Sequence, residues 1–411
     1  MRTKIILGIV ITGLIIIAMF NSNLMPLRRE ISDMEIILIA GLDKVGDEYM
    51  ITFIKRNESD SSKGDAQDSS AGSQVISMTA DSYTVALRQL QTTTDKFTTA
   101  SHIKYYIIGE QTLRDDFVHI TDAIARGYQT RLNSKIYMAK GMTAREFLTK
   151  ASKLEFNIEN KLENMESSFW EKSNYVHTDI LDFGHISFSE TGDGLIDTLE
   201  FYNTADEEQK DNMESSTGGK ENETSDKISF GFGGAAIVNN CKVDSFLTKD
   251  ETTIANYILN TDNVNVITIN DKDDFVVFRI EQLSANVNFE FDNKNKLNGI
   301  KIDVSFKANY EETNARVPIF TENMIEYFEK ELNAKVEEQI KEIINIEQEK
   351  GIDFLYLKEK LELTHPYKNI EDKNEFMELI KNCKVSVVSK GGIQTTYDIV
   401  ESNKRQEGES K

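Results

Sequence analysis

Val287, Phe289 and Phe291 alternate with polar residues, and after Asp292-Asn293-Lys294-Asn295-Lys296 the alternation resumes at Ile300, Ile302, Val304, Phe306 and Ala308. Side chains of a strand point to opposite faces with period two, so this pattern predicts an antiparallel hairpin with one apolar face. That face must be covered, and the next segment can cover it. Thr321 starts a helix of about thirty residues that ends near Gly351, roughly 45 Å long. Ile325, Phe328, Leu332, Val336, Ile340 and Ile343 form its apolar stripe, with Glu337 and Lys341 as a favourable i,i+4 pair. Such a helix can serve as a coiled-coil partner or pack on its own antiparallel sheet, and the second use is expected.

Strands also dominate upstream of the hairpin. Residues 228–238 and 243–247 read as strands, 252–259 as a short helix, and 264–269 and 275–280 as further strands. Gly231-Phe232-Gly233-Gly234 lies inside the first of these. No helix N-terminus follows it, so the glycines predict a bulge or a close backbone approach rather than a phosphate loop. A second helix near 355–361 and a last strand at 383–388 complete this part.

The preceding part is mixed. Residues 35–42 read as a buried strand, Gly46-Asp47 as a turn, and 49–54 and 74–80 as two more strands. Ser82 N-caps a helix carrying Leu87 and Leu90. A strand at 102–108 leads to a helix over 115–126 that stops at Gly127, and a strand at 132–139 ends at Lys140-Gly141. Thr143 and Glu146 form a capping-box pair that starts another helix, and Ile158, Leu162, Met165 and Phe169 repeat at helical spacing. These elements give an α+β class, with helices covering a sheet and antiparallel pairing prominent.

Residues 55–73 and the strongly acidic 203–227 carry no apolar periodicity and read as a loop and a linker. The 411-residue chain thus divides into an anchor (1–25), an α/β domain (26–202), a linker (203–227), a sheet and long-helix domain (228–400) and a disordered tail (401–411). A split of the fourth part into 228–270 and 271–400 is left open. The formal net charge of -22 argues against nucleic acid, whose phosphates need clustered Lys and Arg.

Arg2 and Lys4 precede an apolar run at 5–20. Sixteen helical residues span about 24 Å, a little short of the roughly 30 Å hydrocarbon core, and 21–25 extend the run into the interface. Positive charge before the run places the N-terminus in the cytoplasm and exports the rest. A cleaved signal peptide is the alternative, but Ile16-x-Ala18 is a poor cleavage site, and a retained single-pass anchor is expected.

The sequence offers little chemistry. His102, His119, His177, His185 and His365 share no metal-site spacing, and the turn at Asp292 has Lys where a calcium loop needs oxygen ligands. There is no Gly-x-Ser-x-Gly elbow and no Cys paired with a suitable His. Cys241 and Cys383 form no Cys-x-x-Cys motif. They read as free thiols, with a bridge between them as the alternative. No catalytic residue, cofactor or metal is expected.

Arg29-Glu30-Ile31-x-Asp33 followed by Gly41-x-Asp43-Lys44 resembles the start of the Ger(x)C family, the C subunits of bacterial spore germinant receptors. Ser101 to Gly141 is similar to the strand-helix-strand core of that family, including Gly109-Glu110, Arg131 and Lys140-Gly141. Gly234-Ala235-Ala236-Ile237 and Lys350-Gly351-Ile352-Asp353-Phe354 match its C-terminal region in the right order. One feature departs from the pattern. Family members are usually lipoproteins with an acylated cysteine shortly before Arg-Glu-Ile, whereas Met25-Pro26-Leu27 stands here, so attachment falls to the apolar helix.

The resemblance implies an elongated, multi-domain mixed α/β protein on the outer face of the spore inner membrane. It would act without catalysis, together with an A subunit and a permease-like B subunit, to sense nutrients and trigger germination. A membrane-anchored extracytoplasmic solute-binding or envelope scaffold protein is the alternative. Arg28, Arg29, Glu30, Asp33 and Asp43 are the candidate partner-docking or structural residues, with an intrachain ion pair between Arg29 and Asp33 as the plainer role for those two.

Overall fold

The computed structural model describes residues 11–13, 34–55, 74–93, 96–127, 130–154, 157–168, 173–203, 228–259, 264–271, 274–294, 296–314, 321–367, 370 and 372–394. In chain order the first part holds β1 (Met34–Ile36), β2 (Ile39–Val45), β3 (Glu48–Lys55), β4 (Gln74–Ala80), α1 (Tyr83–Thr93), β5 (Phe97–Thr99), β6 (Tyr105–Gly109) and α2 (Glu110–Ala125). It continues with β7 (Lys135–Ala139), α3 (Ala144–Ala151), α4 (Ile158–Ser167), α5 (Ile180–Phe188), β8 (Gly194–Asn203), β9 (Ile228–Asn239) and β10 (Lys242–Leu247). The second part holds α6 (Lys249–Leu259), β11 (Asn265–Asp271), β12 (Asp274–Phe291), β13 (Leu297–Thr313), α7 (Glu322–Lys350), α8 (Leu357–Thr364), α9 (Lys373–Lys381) and β14 (Lys384–Gln394).

Eight strands form the first sheet in the order β10-β9-β8-β7-β6-β2-β3-β4. The inner run β2, β6, β7, β8 is parallel, and antiparallel strands flank it on both sides. Apolar residues fill both faces of the parallel strands, as expected where helices cover both sides. Leu42, Tyr106, Ile108 and Met138 pack with Leu113, Phe117 and Ile120 of α2 and Phe183 of α5. On the other face Ile39, Ile107 and Tyr137 pack with Phe147 of α3 and Leu162 of α4.

The single strand expected over 35–42 is two strands. β1 pairs with β5 in a small parallel sheet, and β2 enters the large one. The break falls at Ile37-Leu38, where the partner changes. The Ile37 amide still bonds Thr99, while the Leu38 carbonyl already accepts the amides of Lys104 and Tyr105. The helix expected from 115 begins instead at Glu110 and kinks at Asp116, whose φ and ψ are -146° and 38°. The side chain of Asp116 is drawn off the helix by the Lys44 ammonium at 2.9 Å and the Tyr49 hydroxyl at 2.5 Å.

β9 follows the acidic segment in sequence yet pairs antiparallel with β8, from Asn203↔Ile228 to Gly194↔Val238. Residues 228–247, assigned above to the C-terminal part, therefore sit in the first sheet. The segment 204–227 joins two neighbouring strands of that sheet. The Gly233-Gly234 pair is a bulge, because Asp197 and Leu199 pair with Ala235 and Phe232 across it. Gly234 has φ +87°, and a Cβ there would overlap the Leu247 carbonyl. The close-approach reading of this glycine run holds, and the reason is steric.

The second sheet has the order β11-β12-β13-β14, with β12 and β13 as the long hairpin and β14 added parallel to β13. Phe328, Leu332, Val336, Ile340 and Ile343 of α7 are buried against it, so the helix covers its own sheet. α7 also serves both sheet edges. Glu329, Asn333 and Glu337, one turn apart, accept the outward amides of Ile393, Gly391 and Ser389 on β14. Lys335 donates to the Thr268 carbonyl on β11 at 3.1 Å. Asn333 also donates back to the Gly391 carbonyl at 3.0 Å, so its amide pairs with Gly391 much as a neighbouring strand would. Edge strands left bare invite pairing with other chains, and here the helix occupies those groups.

The expected anchor at 5–20 lies outside the described residues except for 11–13, as do the loop at 55–73 and the tail at 401–411 except for Lys55. Among the described residues no helix is long and apolar enough to cross a membrane. Cys241 is half-buried and Cys383 buried, both as free thiols.

Candidate functional site

Asp43, Gly109-Glu110 and Lys140-Gly141, three of the motif positions, lie at the carboxyl ends of β2, β6 and β7. Asp43 is 2% exposed and accepts the Ala144 amide at 2.7 Å and the Arg145 amide at 2.9 Å. The next amide of that turn, Glu146, bonds the Thr143 hydroxyl, and the Thr143 amide bonds the Glu146 carboxylate. All four amides that a helix start leaves unpaired are thus satisfied at α3, two by the expected capping box and two by a residue about a hundred positions away. Burial raises the Asp43 pKa, against the lowering effect of the two amides. Gly109 lies against the Asp43 carboxylate, where a Cβ would overlap it. Glu110 accepts the Gly141 amide at 2.8 Å and pairs with Arg114 at 2.8 Å.

A second group joins the two sheets. Asp193, fully buried before β8, accepts the Asn240 amide at 3.0 Å, the Asp353 amide at 2.9 Å and the Lys373 ammonium at 2.5 Å. Asp353 in turn accepts the amides of Leu357 and Lys358 and so starts α8. Glu347 at the end of α7 is fully buried, accepts the Leu355 amide at 2.9 Å and lies beside the Asp353 carboxylate. Burial, followed by the neighbouring Asp353 carboxylate, raises the Glu347 pKa well above the carboxylate range, so its neutral form is favoured. Asp353 shifts in the same direction, again through burial.

A cleft of about 410 Å³ opens beside this junction between α5 and α8, with Tyr356 in its wall. Two of its residues, His177 (φ 75°) and Tyr356 (φ 55°), hold the left-handed backbone conformation that side chains disfavour. Buried carboxylates keep both in place. Asp197 accepts the amides of Val176, His177 and Thr178, and Asp353 accepts those just after Tyr356. Strain of this kind persists only where the surroundings fix it, and it concentrates at functional sites.

Chemically, these groups organise backbone. The carboxylates of the motif residues accept main-chain amides, and among the described residues no group of three acidic, His or Cys side chains could hold a metal. His185 pairs with Glu359 at 3.3 Å, His119 stacks on Tyr49, and His102 meets Arg131 at 3.3 Å.

The sequence of residues 28–200 matches the family described as "Spore germination protein N-terminal domain", and residues 233–397 match "Spore germination B3/ GerAC like, C-terminal". The two together cover most of the chain in the expected order. The chain belongs to the Ger(x)C family of spore germination proteins. A solved structure described as "Crystal Structure of the GerBC protein" is similar at 15% identity, covering 87% of this chain and 97% of that one with a TM-score of 0.49. A search among curated proteins gave no match.

Of the residues singled out in this Ger(x)C sequence, Asp43 is a helix cap, and Arg28, Arg29, Glu30 and Asp33 lie outside the described residues. Other motif positions carry contacts. Lys140 reaches Glu200 and the Gly233 carbonyl, and Gly351 ends α7 in the left-handed conformation. Sequence reasoning passed over Asp193, Asp197, Glu347 and Lys373. Each is an ordinary charged residue in the sequence, with no spacing or periodicity to mark it. Only Asp353 could have been found, because it lies inside the Lys-Gly-Ile-Asp-Phe motif.

Proposed function

We propose that this Ger(x)C protein is the non-catalytic C subunit of a nutrient germinant receptor. It is held in the spore inner membrane by the 5–20 helix, with its body on the extracytoplasmic face. There it works with A and B subunits to trigger germination. The observation that carries this reading is the ordered match of both family domains over most of the chain. The inward role of Asp43, Glu110 and Asp353 agrees with it, since these motif carboxylates serve the fold.

Purification of the tagged chain from spore membranes tests the reading. A and B subunits should come down with it, whereas an anchored solute binder or envelope scaffold should come alone. Spores lacking the chain should form normally and lose the response to particular nutrients. Reversing the charges of Arg28, Arg29 and Glu30 together should impair that response at equal protein level. Normal germination by that variant, beside a dead His or Cys variant, would return the case to an enzyme.

A further inference from the structure

Small-molecule sites in proteins are commonly clefts of about 300–1,000 Å³ with apolar walls and a few placed polar groups. The cleft between α5 and α8 fits that description at about 410 Å³. Val176, Leu195, Leu259 and Leu363 supply its apolar surface, and Asp182 and Glu359 place two carboxylates on its lining. A second depression of about 280 Å³ adjoins it through the shared Tyr356 and Glu359 and adds Glu190 and Glu362.

Carboxylates predominate on the lining, with Glu359 paired to His185 at 3.3 Å and Asp182 accepting the Asp179 amide at 3.0 Å. Burial first, and then the carboxylates of Asp182, Asp353, Glu359 and Asp193, hold the Tyr356 hydroxyl far above its ordinary pKa. Among the described residues of the lining, Lys360 commits its ammonium to the Ile258 carbonyl at 3.2 Å, and the His177 imidazole is the other basic group. Lys358, beside the second depression, is paired with Glu190 and Glu362. A bare metal ion has no ligand set here, since no three suitable side chains converge among the described residues. Apolar walls also give such an ion nothing to contact. The Tyr356 ring and the leucines would instead contact the hydrocarbon part of an amine, and an aromatic face beside carboxylates suits an ammonium.

We propose that this cleft binds a small organic cation, its ammonium directed toward Asp182 and Glu359 beside the Tyr356 ring and its apolar part against Val176, Leu195 and Leu259. His177 and Tyr356, strained and held by Asp197 and Asp353, shape the two sides of that site. The assignment stands apart from the receptor reading, because it rests on the cleft alone.

Ligand-detected NMR and calorimetry on the full chain in detergent test it with phenethylammonium, using 2-phenylethanol and phenylacetate as neutral and anionic controls of similar shape. Saturable binding of the ammonium is expected, about tenfold weaker binding of the alcohol, and none of phenylacetate. Glu359→Gln removes a lining charge. Leu363→Arg sets a cation on a rim position that is 76% exposed, where folding is insensitive to the change. Each should weaken ammonium binding about tenfold with the far-UV circular dichroism unchanged. Absence of saturable ammonium binding, equal binding of phenylacetate, or full affinity in either variant overturns the proposal.

Discussion

Replacing Asp43 by alanine removes the acceptor of two amides at the start of α3. The Ala144 amide belongs to a fully buried residue, and the Arg145 amide is partly buried. A buried donor left without a partner costs about 1–3 kcal/mol, so the two together should cost about 3 kcal/mol. Asparagine keeps one acceptor oxygen in nearly the same volume. The charge itself contributes nothing favourable here, because burial outweighs the two amides and raises the Asp43 pKa. Asp43→Asn should therefore cost about 1 kcal/mol. Hydrogen exchange read by mass spectrometry over residues 140–151 of the full chain isolates the effect from global unfolding. Opening that is easier by 3 kcal/mol accelerates exchange about 150-fold, and by 1 kcal/mol about fivefold. Exchange over α7 should not change in either variant. Unaltered protection of α3 in Asp43→Ala would refute the capping argument. Equal damage from Asn and Ala would show that α3 requires both carboxylate oxygens and that one acceptor is not enough.

Asn333→Ala should lower stability by about 2 kcal/mol in urea denaturation, since it strips the two-point pairing with Gly391 and the bond to the Ser389 hydroxyl; a loss under about 0.5 kcal/mol would show that β14 does not need the helix. Burial raises the Asp197 pKa to about 6, above an unfolded value of about 3.9, so its contribution to stability is full below pH 4 and lost as pH rises through 6. The unfolding free energy of the unaltered chain relative to Asp197→Asn, from urea denaturation, should fall over that window by about 3 kcal/mol in all, and a constant or rising difference contradicts the assignment. Mass spectrometry of the mature protein should find Met1 or Arg2 at its N-terminus, and a terminus near Asn21 would remove the anchor. Limited proteolysis should cut first within 204–227 and 56–73, and the pieces should stay together because β8 and β9 pair across the first site; early cuts within 301–351 would contradict the organisation drawn here.

The elements legible in the sequence are those whose cause is local. The β12–β13 hairpin follows from alternation at period two, and the stripe on α7 from apolar residues at helical spacing, with Gly351 as its stop. Thr143 and Glu146 cap α3 as a pair three residues apart, and Gly46-Asp47 turns the chain between β2 and β3. The family match agrees with the resemblance carried by short motifs in the same order. Each of these signals lies within one or two turns of chain, where spacing alone decides which side chains share a face.

The tertiary structure decided what depends on distant partners. Residues 35–42 split into β1 and β2 because β5 and β6 compete for consecutive backbone groups. β9 joined the first sheet because β8 offered a free edge across the acidic segment. Asp43 became a cap because α3 starts beside the end of β2, and Gly109 leaves room for its carboxylate. Asp193, Asp353, Glu347 and Lys373 became a junction only when α7, α8 and α9 packed against the end of β8. A carboxylate in sequence is one acidic residue among many. What it does is set by which amides and ammonium groups the packed chain brings within about 3 Å of it, and by how much water that packing removes.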